Sequence, residues 1–194
     1  MARPRKFKEQ DVLVSVYRRF NETGFHGTSV DDLSTATGLS KGSLYGAFGD
    51  KEALFERVFD AYCTTAERSV ADLLEGPETL ALDRLRTWLQ PSQDDTDRLG
   101  CLLAKGTAEL AWENDTIVTR SLAAFESLID SCRQVVEQAQ RAGRLDPAAD
   151  AELLGGLIVS THRGLEALAK AGVSVEMRNR IADAAIDSLP VPVA

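Results

Sequence analysis

Histidine and cysteine, the side chains that most often hold metals or attack substrates, number two and three in 194 residues. A carboxylate-bridged metal pair in a helical bundle needs two Glu-x-x-His motifs. Here Thr23 and Val159 stand three positions before His26 and His162. Cys63, Cys101 and Cys132 are odd in number, widely spaced and form no Cys-x-x-Cys. With no zinc cluster, phosphate-binding glycine loop or nucleophile motif, the sequence points away from an enzyme and calls for no cofactor. A helical-bundle enzyme or carrier is the alternative of a different class, and it leaves the basic N-terminus unexplained.

Two stretches retain chemical possibilities. Ser40-Lys41-Gly42-Ser43 with Tyr45 puts one ammonium and three hydroxyls on the outward side of a short helix, a set suited to phosphates and base edges. Gly100-Cys101-Leu102-Leu103 places a thiol near the start of a predicted helix, with Arg98 at i−3 and Lys105 at i+4 on its face, where helix start and cations favour a thiolate. The bland reading of Cys101 is a small buried hydrophobe. Trp88, Cys101, Leu102, Trp112, Phe125, Leu128 and His162 form a tentative pocket set: apolar, with few polar anchors, suited to a hydrophobic or aromatic ligand. Each is also an ordinary core residue type.

The elements that must position these residues are all helical. Val12, Leu13, Val16, Tyr17 and Phe20 mark one face of a helix over about 8–22, closed by Gly24. Thr28 or Ser29 caps a second helix with a Val30, Leu33, Ala36 stripe. Gly38 supplies the turn, Ser40 caps a third helix, and Leu44 and Phe48 point inward from it. Asp50 opens a fourth helix of roughly 24 residues, about 36 Å long at 1.5 Å per residue, that stops at Gly76-Pro77. Further helices are expected over 77–90, 98–113 and 115–142, then from an Asp146-Pro147 start to Gly172. The last runs from a Ser174 cap to Pro190, and 91–97 is the clearest loop. A short helix, a glycine turn and a helix with a basic first turn make the helix-turn-helix plan. The fold class expected is all-α with about nine helices, an N-terminal three-helix helix-turn-helix domain and a larger C-terminal helical domain.

Charge divides the chain. Residues 1–50 hold 7 Lys/Arg against 6 Asp/Glu, and residues 51–194 hold 15 against 24. The cations Arg3, Arg5, Lys6 and Lys8 crowd the start, so an N-terminal arm contacting phosphates or a minor groove is expected while the acidic body repels DNA. No apolar run approaches the ~18 residues of a membrane span, and nothing resembles a secretory signal. A cytoplasmic protein with free thiols is the expectation.

Thr28-Ser29-Val30, then Gly38 to Tyr45, then Phe48-Gly49-Asp50-Lys51-Glu52-Ala53-Leu54-Phe55, resembles the DNA-binding domain of the TetR family of bacterial transcriptional regulators. Phe20 and Thr23-Gly24-Phe25 fit the same pattern, which covers about residues 8–55. The resemblance implies a DNA-binding domain over 1–49 and a ligand-binding and dimerisation domain over 50–194, with 50–76 as the linking helix. It implies contacts to double-stranded operator DNA from Ser40, Lys41, Gly42, Ser43 and Tyr45, with backbone N–H contacts at Thr28 and near Lys51. Ala47 stands where similar proteins commonly carry His or Tyr, so a ring contact there is not expected. The last two helices, rich in Gly155, Gly156, Gly164, Ala167, Ala182, Ala184 and Ala185, are implied to pair with their copies in a homodimer reading a palindrome; a buried central helix explains the same residues. The function implied is a regulator, most simply a repressor released by a small-molecule inducer; the alternative is thiol sensing of oxidants or electrophiles through Cys101.

Overall fold

The computed structural model describes residues 7–90 and 100–192. The expected arm contacts of Arg3, Arg5 and Lys6, the 91–97 loop and Arg98 lie outside the described residues. Among those described there are nine α-helices, two short 3₁₀ turns and no strand: α1 (Glu9–Thr23), α2 (Val30–Thr37), α3 (Lys41–Phe48), α4 (Lys51–Ala71), α5 (Ala81–Leu89), α6 (Leu102–Leu110), α7 (Asp115–Arg141), α8 (Ala151–Lys170) and α9 (Val175–Asp187). They fall into two compact units. One holds residues up to Cys63 together with Leu102–Ser121, and the other holds Thr64–Cys101 together with Leu122 onward. The chain therefore passes between units within α4, within α7 and at the Cys101–Leu102 junction.

In the first unit α1 packs on α2 and on α6. Val12, Val16 and Phe20 are buried at i, i+4, i+8 on α1, the face the periodicity marked. Leu33 is the one buried residue of α2; Ala36, expected on its apolar stripe, is exposed because an eight-residue helix turns only one narrow edge inward. Phe20 meets Phe55 edge-on at 5.0 Å between ring centroids, and Phe25 meets Phe55 at 5.2 Å. Stacked Phe59 extends this aromatic core along α4. Gly106 lets α6 lie against that core, since a Cβ there would stand 2.9 Å from Phe59 Cδ2 and 3.1 Å from Phe55 Cζ.

In the second unit α5 packs on α8 and α9, and α8 on α9. Ala81, Leu85 and Leu89 of α5 are buried, as are Ile158, Val159, Leu165 and Ala169 of α8. Arg86 ties α5 to α9 through Asp183 at 2.9 Å and Asp187 at 2.6 Å, and these bonds raise its pKa. Asp146-Pro147 does not start α8. The Asp146 carboxylate accepts from Ala148 N in a turn, and Asp150 is the cap, accepting from Glu152 N and Leu153 N. Asp146 N itself bonds Pro190 O, which holds that segment out of the helix. The helix expected over 98–113 is shorter, and Cys101 lies just before its first residue.

Candidate functional site

The head of the first unit is built by local rules. Ser29 caps α2 in a reciprocal box: its hydroxyl accepts from Asp32 N at 3.1 Å and Asp32 Oδ2 accepts from Ser29 N at 2.9 Å. Those bonds, with Arg19 2.9 Å away, hold the Asp32 carboxyl below its ordinary value. Gly38 sits at φ 68°, ψ 13°, the left-handed turn that releases the chain into Ser40, which caps α3 by accepting from Ser43 N. Leu44 and Phe48 are buried, and Ser40, Lys41, Gly42, Ser43 and Tyr45 are exposed to solvent. Tyr45 is 45% exposed. Lys41 Nζ lies 2.8 Å from Asp31 of α2, and that hydrogen bond raises its pKa.

Two further positions belong to the same head. Thr28 is buried: its hydroxyl donates to Gly24 O at 2.6 Å and its N–H to Phe25 O at 3.2 Å. With donor and side chain engaged, it braces the α1–α2 turn and offers no N–H to a phosphate in this conformation. Lys51 does not reach outward; its ammonium sits 4.1 Å over the Phe25 ring, and burial lowers its pKa. Asp50 Oδ1 accepts from Ala53 N, which leaves the backbone N–H groups of Lys51 and Glu52 at the start of α4 without an acceptor in their own helix.

One part of the head has no counterpart in the sequence reading. Glu109 of α6 accepts from Phe25 N at 2.6 Å and from His26 N at 3.1 Å, and Lys105 of α6 donates to Asn21 O at the end of α1. Helix α6 thus grips the turn from which the reading helices hang. Lys105, expected beside Cys101, has its ammonium here instead. A small cleft beside this grip is lined by Phe25, Glu52, Phe55, Leu110, Glu113 and Asn114. None of the residues expected to form a ligand pocket is among them.

Those pocket residues are divided between the two units. Leu102 is buried in the first unit. Trp112 is 96% exposed in the turn after α6, because the chain leaves the helix at Leu110 and turns the ring outward. In the second unit Leu128 is buried and Phe125 half-buried. Trp88 and His162 do meet, stacked with ring centroids 3.9 Å apart. The neighbouring Arg163 links them to the thiol: its Nη2 is 2.6 Å from His162 Nδ1, and its Nη1 donates to Cys101 Sγ at 2.6 Å. Glu166 lies 3.0 Å from the same guanidinium nitrogen. Arg163, the cation at Cys101, was not singled out in the sequence; the only local signal is that His162, Arg163 and Glu166 share one face of α8. Cys132 is different in kind, since burial pushes its thiol up to about 12 against the opposing influence of Arg163. Among the described residues no group of three His, Cys, Asp or Glu is placed to hold a metal, and no helix is long and apolar enough to cross a membrane.

Comparison with known proteins agrees with this architecture. Residues 16–58 match the family of bacterial regulatory proteins of the tetR type, and residues 81–185 match the tetracyclin repressor-like C-terminal domain. The HTH-type transcriptional repressor DhaR of Mycobacterium sp. (strain GP1) is 26% identical over 75% of this chain and 73% of its own. The HTH-type transcriptional repressor ComR of Escherichia coli (strain K12) is 25% identical over 93% of this chain and 88% of its own. A solved cysteine mutant of the TetR family regulator CifR, complexed with 26-bp double-stranded operator DNA, superposes with a TM-score of 0.80 at 26% identity, covering 97% of this chain and all of that one. A helix-turn-helix head with α3 exposed, a helical second unit and both family matches lead to one assignment: the chain belongs to the TetR family of bacterial transcriptional regulators, DNA-binding proteins that respond to ligands.

Proposed function

We propose that this regulator is a cytoplasmic repressor that binds a palindromic operator as a homodimer and is released by a small hydrophobic or aromatic molecule held in its second unit. The observation that carries the DNA contact is the outward face of α3, with Ser40, Lys41, Ser43 and Tyr45 exposed together beside the free N–H groups that open α4. The dimer reading rests on a second exposed face of α8, where Leu153 (69% exposed), Leu157 (50%), Gly164 and Ala167 follow a heptad-like spacing, and on Met177 and Ala184 of α9. Monomers seldom leave such a stripe bare. Repression is supported by the names of DhaR and ComR. A ligand that prefers the non-binding form acts through the segments the units share, chiefly α4; reversing a 99:1 population takes about 5.5 kcal/mol of preference.

Fluorescence anisotropy with DNA flanking the protein's own gene tests this across a salt series. Lys41→Ala is expected to weaken binding and to flatten the log–log salt slope by about one unit per head, the loss of one phosphate contact. An unchanged slope would remove Lys41 from the interface.

A second reading is favoured by one specific contact, the Arg163 guanidinium on Cys101 Sγ, which supplies the positive charge that a thiolate nucleophile needs. Here an oxidant or electrophile modifying Cys101 is the signal. Mild electrophile treatment is then expected to abolish operator binding in the wild type and to leave Cys101→Ser bound. Cys132, held protonated by burial, stays unlabelled at neutral pH in the native protein. Equal release of both proteins, or of neither, rules this reading out and leaves the non-covalent inducer.

A further inference from the structure

The outward side of the helix-turn-helix carries an acid where DNA would demand a base. Helix α3 has one charged residue, Lys41, and its ammonium is held at 2.8 Å by Asp31, in the first turn of α2. The other carboxylate of that turn, Asp32, is committed to Ser29 and Arg19. Asp31 makes no capping bond, and its side chain is 78% exposed, that of Lys41 53%. A carboxylate on an open ammonium occupies the position and charge of a phosphate oxygen. Both groups stay accessible, so a DNA strand can displace the carboxylate one for one, and the displaced carboxylate is left facing the polyanion.

We propose that Asp31 is a built-in competitor of the DNA backbone, holding Lys41 in the free protein and so setting the regulator's affinity for DNA. The proposal rests on the reading that α3 faces DNA. Asp31 acts through Lys41 and is therefore a positioning residue. Because phosphates are the same at every sequence, the competition weakens binding to operator and to unrelated duplex alike. An exposed pair of this kind is modest, and its rupture together with the bared carboxylate amounts to roughly threefold in affinity for each head, about tenfold for a dimer.

The test is a double-mutant cycle read by anisotropy on operator and unrelated duplex at several salt concentrations. Asp31→Asn keeps the side-chain volume and lies on the surface, and Asp31→Ser serves as a second variant; unchanged thermal melting certifies each fold. The expected result is about tenfold tighter binding to both duplexes at low salt, shrinking as salt rises, and a clearly smaller gain when Asp31→Asn is placed on Lys41→Ala, where only the bared carboxylate is removed. Unchanged or weaker binding overturns the proposal. So does a gain that is undiminished without Lys41, which would be general charge removal, or one confined to operator, which would make Asp31 a base reader. Lys41→Ala alone separates the two levels: if it leaves affinity and salt slope untouched, the interface reading itself fails.

Discussion

Gly24→Ala is expected to destabilise the head by roughly 3–5 kcal/mol. Gly24 stands at φ 79°, ψ 177°, a backbone region that is essentially closed to any residue with a Cβ. The added methyl would also fall 2.7 Å from the Glu109 carboxyl carbon, inside contact distance. Moving Glu109 away would strip the acceptor from Phe25 N and His26 N, the two donors it serves at 2.6 and 3.1 Å. Strain and lost hydrogen bonds therefore add, and the second depends on Glu109 while the first does not. Urea unfolding of Gly24→Ala, Glu109→Ala and the double variant separates them. The double variant is expected to cost less than the sum, since the bonds to Phe25 N and His26 N are then lost once and not twice. A Gly24→Ala cost below about 1 kcal/mol would contradict both parts of the argument.

Gly155→Ala is expected to cost about 2 kcal/mol, whereas Gly156→Ala, one residue on, gains about 0.5–1 kcal/mol. Both lie inside α8, where replacing glycine by alanine normally stiffens the unfolded chain and helps. At Gly155 the new Cβ would meet Ile129 O and Arg133 N of α7, each at 2.8 Å, and Arg133 Cα at 3.2 Å. These are backbone atoms of a helix and cannot swing aside as a side chain does, so α7 and α8 must part. At Gly156 the Cβ meets nothing within 4 Å. Denaturant midpoints measured at one protein concentration decide the matter, because association shifts apparent stability. Equal signs at the two positions would mean that α7 and α8 do not approach as closely as they do here.

What was legible in the sequence is what is written locally. The head was readable because Ser29, Gly38, Ser40 and Asp50 are caps and turns whose partners lie within four residues. Helix faces such as Val12, Val16 and Phe20 were readable from period alone. Asp146-Pro147 misled because a second capping carboxylate, Asp150, stands four residues on and its bonds to Glu152 N and Leu153 N prevail. The candidate site was less open to such reading. Thr28 had a plausible cap role and a plausible phosphate role, and neither pattern told of its burial or of its hydroxyl bond to Gly24 O. Cations were sought for Cys101 within one helical turn, yet the guanidinium that reaches it comes from Arg163, 62 residues away. Glu109 and Phe25 are 84 residues apart, and neither sequence neighbourhood advertises the other. Trp112 shows the same limit from the other side, since size and apolarity suggested a wall and the turn after α6 left it in solvent.

The amides of Phe25 and His26, in the turn between α1 and α2, donate to a side chain of α6 and not to a backbone carbonyl. A helical amide exchanges with solvent when its helix opens; these two exchange when Glu109 departs, even with every helix of the head intact. A carboxylate acceptor also draws an amide proton into an uncrowded part of the magnetic resonance spectrum. Two resonances therefore report how firmly α6 is seated, and the first residue of that helix, Leu102, is covalently joined to Cys101.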